Sequence, residues 1–228
     1  MKDLRELLVG LAFGALIGLA VAGVGGGLVL EVVDRMEPEG SGALVLLALP
    51  LALFVAIGVH EGGHLLGGRL AGFRAYFLLV GPLRLERTVQ GWRVGVNGRL
   101  STWGGLAAAA PSDGRRLRHR MALYVAGGPG ASLLLGVLCL LGALLLHATD
   151  VGGLAQSEGT VSLAVGLAFL ALAILGAGSV LLGVVTLIPG RSGGMYTDGG
   201  RLLRLVRGGR ELETEGSPSA PNTRPSHR

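Results

Sequence analysis

The feature that most constrains this chain is a series of long apolar runs without a single charge. Leu7–Leu30 carries none across 24 positions, and Ala43–Val59, Met121–His147 and Val161–Pro189 carry none either. A helix needs about 20 apolar residues to cross the hydrocarbon of a bilayer. Charged residues make up only 15% of the chain, against about 25% in soluble domains. Half of the residues are hydrophobic, which excludes disorder for most of the length. The runs therefore predict an all-α polytopic membrane protein with four transmembrane helices. Glycine is abundant, at 42 of 228 residues, and it sits inside the apolar runs, where small residues let membrane helices approach closely.

The loops set the expected orientation. Glu31–Gly42 holds four acids and one arginine, and Ala148–Thr160 holds Asp150 and Glu158 with no basic residue. Arg69–Arg120, by contrast, holds ten arginines against Glu86 and Asp113, and the stretch after Pro189 has seven against four acids. Excess Lys and Arg stays on the cytoplasmic side, which places both termini and the 69–120 segment there. An integral protein of a bacterial cell membrane is the expected location. The arginines follow this topology rule and form no nucleic-acid module, so no nucleic-acid partner is expected. Residues 1–42 read as an N-terminal anchor and outer loop, 43–207 as the membrane core, and 208–228, polar and rich in Ser and Pro, as a disordered tail. Gly10, Gly14 and Gly18 lie on one face of the first span, a spacing suited to close helix packing and homo-oligomer formation. Cys139, the single cysteine, has no partner for an intramolecular disulfide.

Between the second and third spans the pattern changes period. Leu83 and Leu85 alternate with Arg84 and Glu86; after Gln90-Gly91, Trp92, Val94 and Val96 alternate with Arg93 and Gly95. Alternation on both sides of a turn predicts a small β-hairpin, lying at the membrane face and offering an edge to which an extended peptide could add.

The chemistry concentrates in His60-Glu61-Gly62-Gly63-His64. On a helix, residues four apart share a face, so the two imidazoles can bind one zinc ion per chain while the glutamate acts as base on the water that the metal activates. Glu61 is the only acid between Glu39 and Glu86, and an ionisable group inside a span costs about 2.5–3.5 kcal/mol on insertion scales. A catalytic zinc takes three protein ligands. Glu86 falls in the arginine-rich hairpin, Asp150 and Glu158 on the opposite side, His119 among arginines, and Asp198 after the fourth span on the side of the histidine pair. Topology favours Asp198.

Three segments carry a resemblance. HEGGHLLGGRLAGF (His60–Phe73), GGPGAS (Gly127–Ser132) and TLIPGRSGGMYTDGGRLL (Thr186–Leu203) resemble, in order, the core motifs of the site-2 protease family of intramembrane zinc metalloproteases. The resemblance covers roughly residues 43–207. It implies that His60, His64 and Asp198 bind zinc and that Glu61 is the catalytic base. It further implies that Ser132 and Thr186, standing where the family usually has asparagine, hold the substrate or the developing oxyanion. The implied function is hydrolysis of peptide bonds in membrane-embedded or membrane-proximal proteins, with the lipid bilayer and a membrane-protein substrate as partners. Because a hydroxyl has less reach than an amide, the alternative is a zinc-binding membrane protein of lost or weakened protease activity, acting as an interaction partner. A transporter using Glu61 and the histidines as an ion path would need charged groups on other spans, which they lack.

Overall fold

The computed structural model describes residues 41–98, 104–151, 163–192 and 195–207. The first expected span, Leu7–Leu30 with its Gly10, Gly14 and Gly18 face, lies outside them, as do Glu158 and the tail after 207. Three long helices form the body: α1 (Ser41–Leu70), α2 (Leu117–Leu146) and α3 (Leu163–Leu187), with a π turn at His147–Val151 after α2. All three are long and apolar enough to cross a membrane, over Ala48–Leu70, Leu117–Thr149 and Ala164–Leu187. Leucines such as Leu51, Leu53, Leu134, Leu138 and Leu145 are exposed on them, as expected where lipid rather than protein is the neighbour.

Helix α2 lies between the other two and packs on both, while α1 also touches α3. The α1–α2 crossing is a backbone-to-backbone contact. A β-carbon added at Gly63 would overlap the carbonyl of Gly127, and one added at Gly127 would overlap the carbonyl of Gly63. Without a hydrophobic drive between helices in lipid, this close packing is what holds them. The glycine excess of the HEGGH and GGPGAS segments is thus explained at its centre by helix approach.

Helix α1 ends at Gly72, whose φ of +74° is the left-handed conformation that closes a helix with little cost only in glycine. The chain then enters a sheet rather than the next span. Strands β1 (Phe73–Val80), β2 (Leu83–Thr88), β3 (Gly91–Val96) and β4 (Gly105–Pro111) form a four-stranded antiparallel sheet in the order β3-β2-β1-β4. Leu78 stands opposite Leu85 on one side and Ala107 on the other, with a bulge in β1 between Ala75 and Phe77. Both β1 and β4 pack on α1. Arg120 fastens the corner: its guanidinium donates to the carbonyls of Ala71 and Gly72 and to Asp113, and lies 5.3 Å from the centre of the Phe73 ring.

This sheet corrects the all-α expectation. Strands β2 and β3 are where the alternation places them, but they are half of a larger sheet. The other half gives no period-2 signal. FRAYFLLV is nearly all apolar, and GLAAAAP is built of alanine, which favours helix when context is silent. Pairing with the neighbouring strand overrides that preference. A fourth described helix, α4 (Asp198–Arg207), is short and amphipathic. It follows a two-residue hairpin, β5 (Arg191–Ser192) with β6 (Met195–Tyr196), and packs on α2 and α3. Ala71, Phe73, Tyr124 and Val125 make a small core beneath it, joined by Met121 and Leu202.

Candidate metal centre

Two elements converge on one point. His60 and His64 lie in the last third of α1, one turn apart, and Asp198 opens α4. Nε2 of His60 is 3.2 Å from Oδ2 of Asp198, and Nε2 of His64 is 3.4 Å from the same oxygen. One ligand atom from each residue falls within 4.8 Å of the others, and all three residues are buried. The imidazoles meet edge to face, with ring centres 4.9 Å apart.

The other ring nitrogens are also engaged. Nδ1 of His64 is 3.0 Å from the carbonyl oxygen of Tyr124, which can only accept. His64 therefore carries its proton on Nδ1. Nδ1 of His60 is 2.9 Å from Oγ of Ser132. With Nδ1 so occupied, each ring turns its Nε2 toward a single carboxylate oxygen, an arrangement that needs positive charge in its middle. Either a shared proton or a cation supplies it. Burial pushes the Asp198 carboxyl up, but the contacts with His60 and His64 prevail and hold it at about 2. Asp198 is an anion across the neutral range. Two imidazole nitrogens and one carboxylate, preoriented and buried, are a set that could hold a metal ion.

Local sequence explains the placement of Asp198. Thr197 caps α4: its Oγ1 accepts from the N–H of Gly200 at 3.2 Å and of Gly190 at 3.0 Å, and donates to the carbonyl of Ile188 at 2.7 Å. One hydroxyl thus ties the Pro189-Gly190 turn to the start of α4 and fixes the first-turn aspartate. The Ser/Thr helix-start rule was the available signal for Thr197, which the motif reading passed over. Helix α2 makes room on its side, since a β-carbon at Gly128 would collide with the His64 ring.

Glu61, also buried, sits against the sheet. A β-carbon at Gly105 would occupy the place of its carboxylate. Tyr124 completes this side. Its hydroxyl donates to the carbonyl of Ala107 at 2.7 Å. Nothing in the sequence singled out Tyr124, since an aromatic in an apolar helix gives no chemical signal.

Of the remaining candidates, Ser132 reaches the cluster and the others lie elsewhere. Ser132 is fully buried with its hydroxyl on the His60 ring. The Thr186 hydroxyl donates to the carbonyl of Gly183 in its own helix, at 3.2 Å. Glu86 pairs with Arg84 on β2, His119 is exposed at the start of α2, and Asp150 is in the π turn beyond the far end of α2. Tyr196 stacks against Arg191 and Arg204, 4.5 and 4.7 Å from its ring centre. Comparisons with protein-family models, with curated proteins and with solved structures find no match for the chain.

Proposed function

We propose that this chain is an intramembrane zinc metalloprotease, similar to site-2 proteases, that hydrolyses peptide bonds in membrane-embedded or membrane-proximal proteins. The observation that carries the reading is the meeting of His60, His64 and Asp198, drawn from two ends of the membrane core, with Glu61 on the same helical turn. Two imidazoles and one carboxylate suit zinc, one ion per chain, and leave a position for a further ligand. When bound, zinc supplies Lewis-acid polarisation of a carbonyl and activates water. His60 and His64 would hold it through Nε2, and Asp198 through its carboxylate.

The chain's own groups supply the rest. Glu61 takes the proton of the attacking water on a carboxylate oxygen and passes it to the leaving nitrogen. The β4 backbone at Gly105 closes against that carboxylate, and burial of all four side chains limits bulk water around the reacting peptide. The arginines between α1 and α2 and after α3 support a cytoplasmic position for this end of the helices.

Metal analysis and cleavage of a single-span test protein check the reading together. Purified wild type should hold stoichiometric zinc, lost in His64→Ala and Asp198→Ala but kept in Glu86→Ala and Glu61→Gln. Wild type should cleave and Glu61→Gln should not. Zinc without cleavage by wild type would favour a zinc-binding interaction partner instead. Zinc kept in Asp198→Ala and lost in Glu86→Ala would overturn the ligand set.

A further inference from the structure

The two imidazoles are held from behind by unlike groups. His64 leans on a backbone carbonyl, which accepts only and is part of α2 itself. His60 leans on the Ser132 hydroxyl, which can donate or accept and which has no exposed surface at all. A neutral imidazole that binds a metal through Nε2 must carry its proton on Nδ1. That proton, buried, needs an acceptor, and the atom within reach is Oγ of Ser132 at 2.9 Å.

We propose that Ser132 is a positioning residue for His60: its hydroxyl accepts the Nδ1–H, fixes the tautomer and ring angle, and presents Nε2 to the metal opposite Asp198. This rests on the metal-binding reading of the His60–His64–Asp198 cluster. It gives Ser132 a part in metal affinity rather than in holding substrate, since a side chain with no exposed surface behind a ligand ring is out of a peptide's reach. It also explains a serine at the α1–α2 crossing. The packing there requires a small side chain, and among small side chains serine adds an acceptor.

The test uses full-length protein in detergent, titrated with zinc and, separately, cobalt(II) against a competing chelator. Ser132→Ala removes one oxygen and leaves the packing. It should weaken both metals about 10–100-fold, the usual effect of losing a partner of a ligating histidine, and alter the cobalt visible spectrum. The melting temperature of the metal-free protein should stay close to wild type. Ser132→Thr, which keeps the hydroxyl, should restore affinity and spectrum; if the extra methyl prevents folding, Ser132→Cys, a weak acceptor of nearly the same size, should fall between Ala and wild type. Wild-type affinity and spectrum in Ser132→Ala would overturn the proposal while leaving the metal site standing. A wild-type protein that takes up neither metal would overturn both.

Discussion

The two edges of the four-stranded sheet differ in what their backbone groups do. On β4, the Glu61 carboxylate stands where a side chain at Gly105 would be, and the carbonyl of Ala107 accepts from the Tyr124 hydroxyl. On β3, at the opposite edge, no strand pairs beyond Gly91–Val96 among the described residues, and Trp92, Val94 and Val96 are exposed. One edge is spent on the candidate site and the other is open. Strands lie about 4.8 Å apart, so a peptide added beyond β3 would run roughly four spacings from β4, too far to bring a carbonyl to the metal ligands. Under the proposed function, the hairpin edge expected to take an added strand therefore lies away from the site. Among the described strands, β4 is the one along which a substrate strand would reach it, by displacing the Tyr124 hydroxyl.

The largest effect should come from breaking the sealed edge at its tightest point. A methyl at position 105 would stand where the Glu61 carboxylate now sits. Gly105→Ala should keep its metal, because His60, His64 and Asp198 are untouched, yet lose cleavage by about a hundredfold, the scale on which a misplaced catalytic group costs. Metal content and turnover, measured on the same preparation, check it. Unchanged turnover would mean that Glu61 works from another position.

That contrast also shows which parts were legible in the sequence. His60, Glu61 and His64 were readable because their spacing is local to one helix, and one acid among so many apolar residues stands out. Asp198 was readable through topology, since only it follows a span on the right side with glycines around it. The β2–β3 hairpin was visible because it is half-exposed and so alternates. Strands β1 and β4 were not, because contact with α1 and with each other removes the need for a polar face. Tyr124 was invisible for a similar reason: its role depends on a strand folding back from residues 105–111, a contact that no local pattern encodes. Ser132 was legible as part of a motif but not in its partner, which lies 72 residues away.

Tyr124→Phe should give an intermediate effect. The ring and the backbone carbonyl that holds His64 remain, so metal binding should be unchanged. Loss of the hydroxyl leaves the Ala107 carbonyl without its partner, at a cost of about 1–3 kcal/mol for a buried group. Amide hydrogen exchange should quicken at Ala107 and Ala109 as β4 loosens, by about tenfold for each 1.4 kcal/mol lost locally. Amides of β3 should exchange as in wild type. Equal protection of Ala109 in both proteins would show that the hydroxyl does not seal the edge.

The smallest effect should come from the open edge. Val94 is two-thirds exposed, and among the described residues no strand pairs on β3's outer side. Val94→Thr keeps the β-branched shape and exchanges one methyl for a hydroxyl, so a site already in contact with solvent should lose no more than about 0.5 kcal/mol. Thermal unfolding in detergent and metal affinity should both match wild type. The same unfolding measured in lipid vesicles sharpens the comparison, because a hydroxyl facing hydrocarbon costs more than one facing water. Loss confined to vesicles would mean that the Trp92–Val96 row lies against the bilayer. Loss in detergent as well would mean that another part of the intact protein covers β3, and the contrast between a sealed and an open edge would fall.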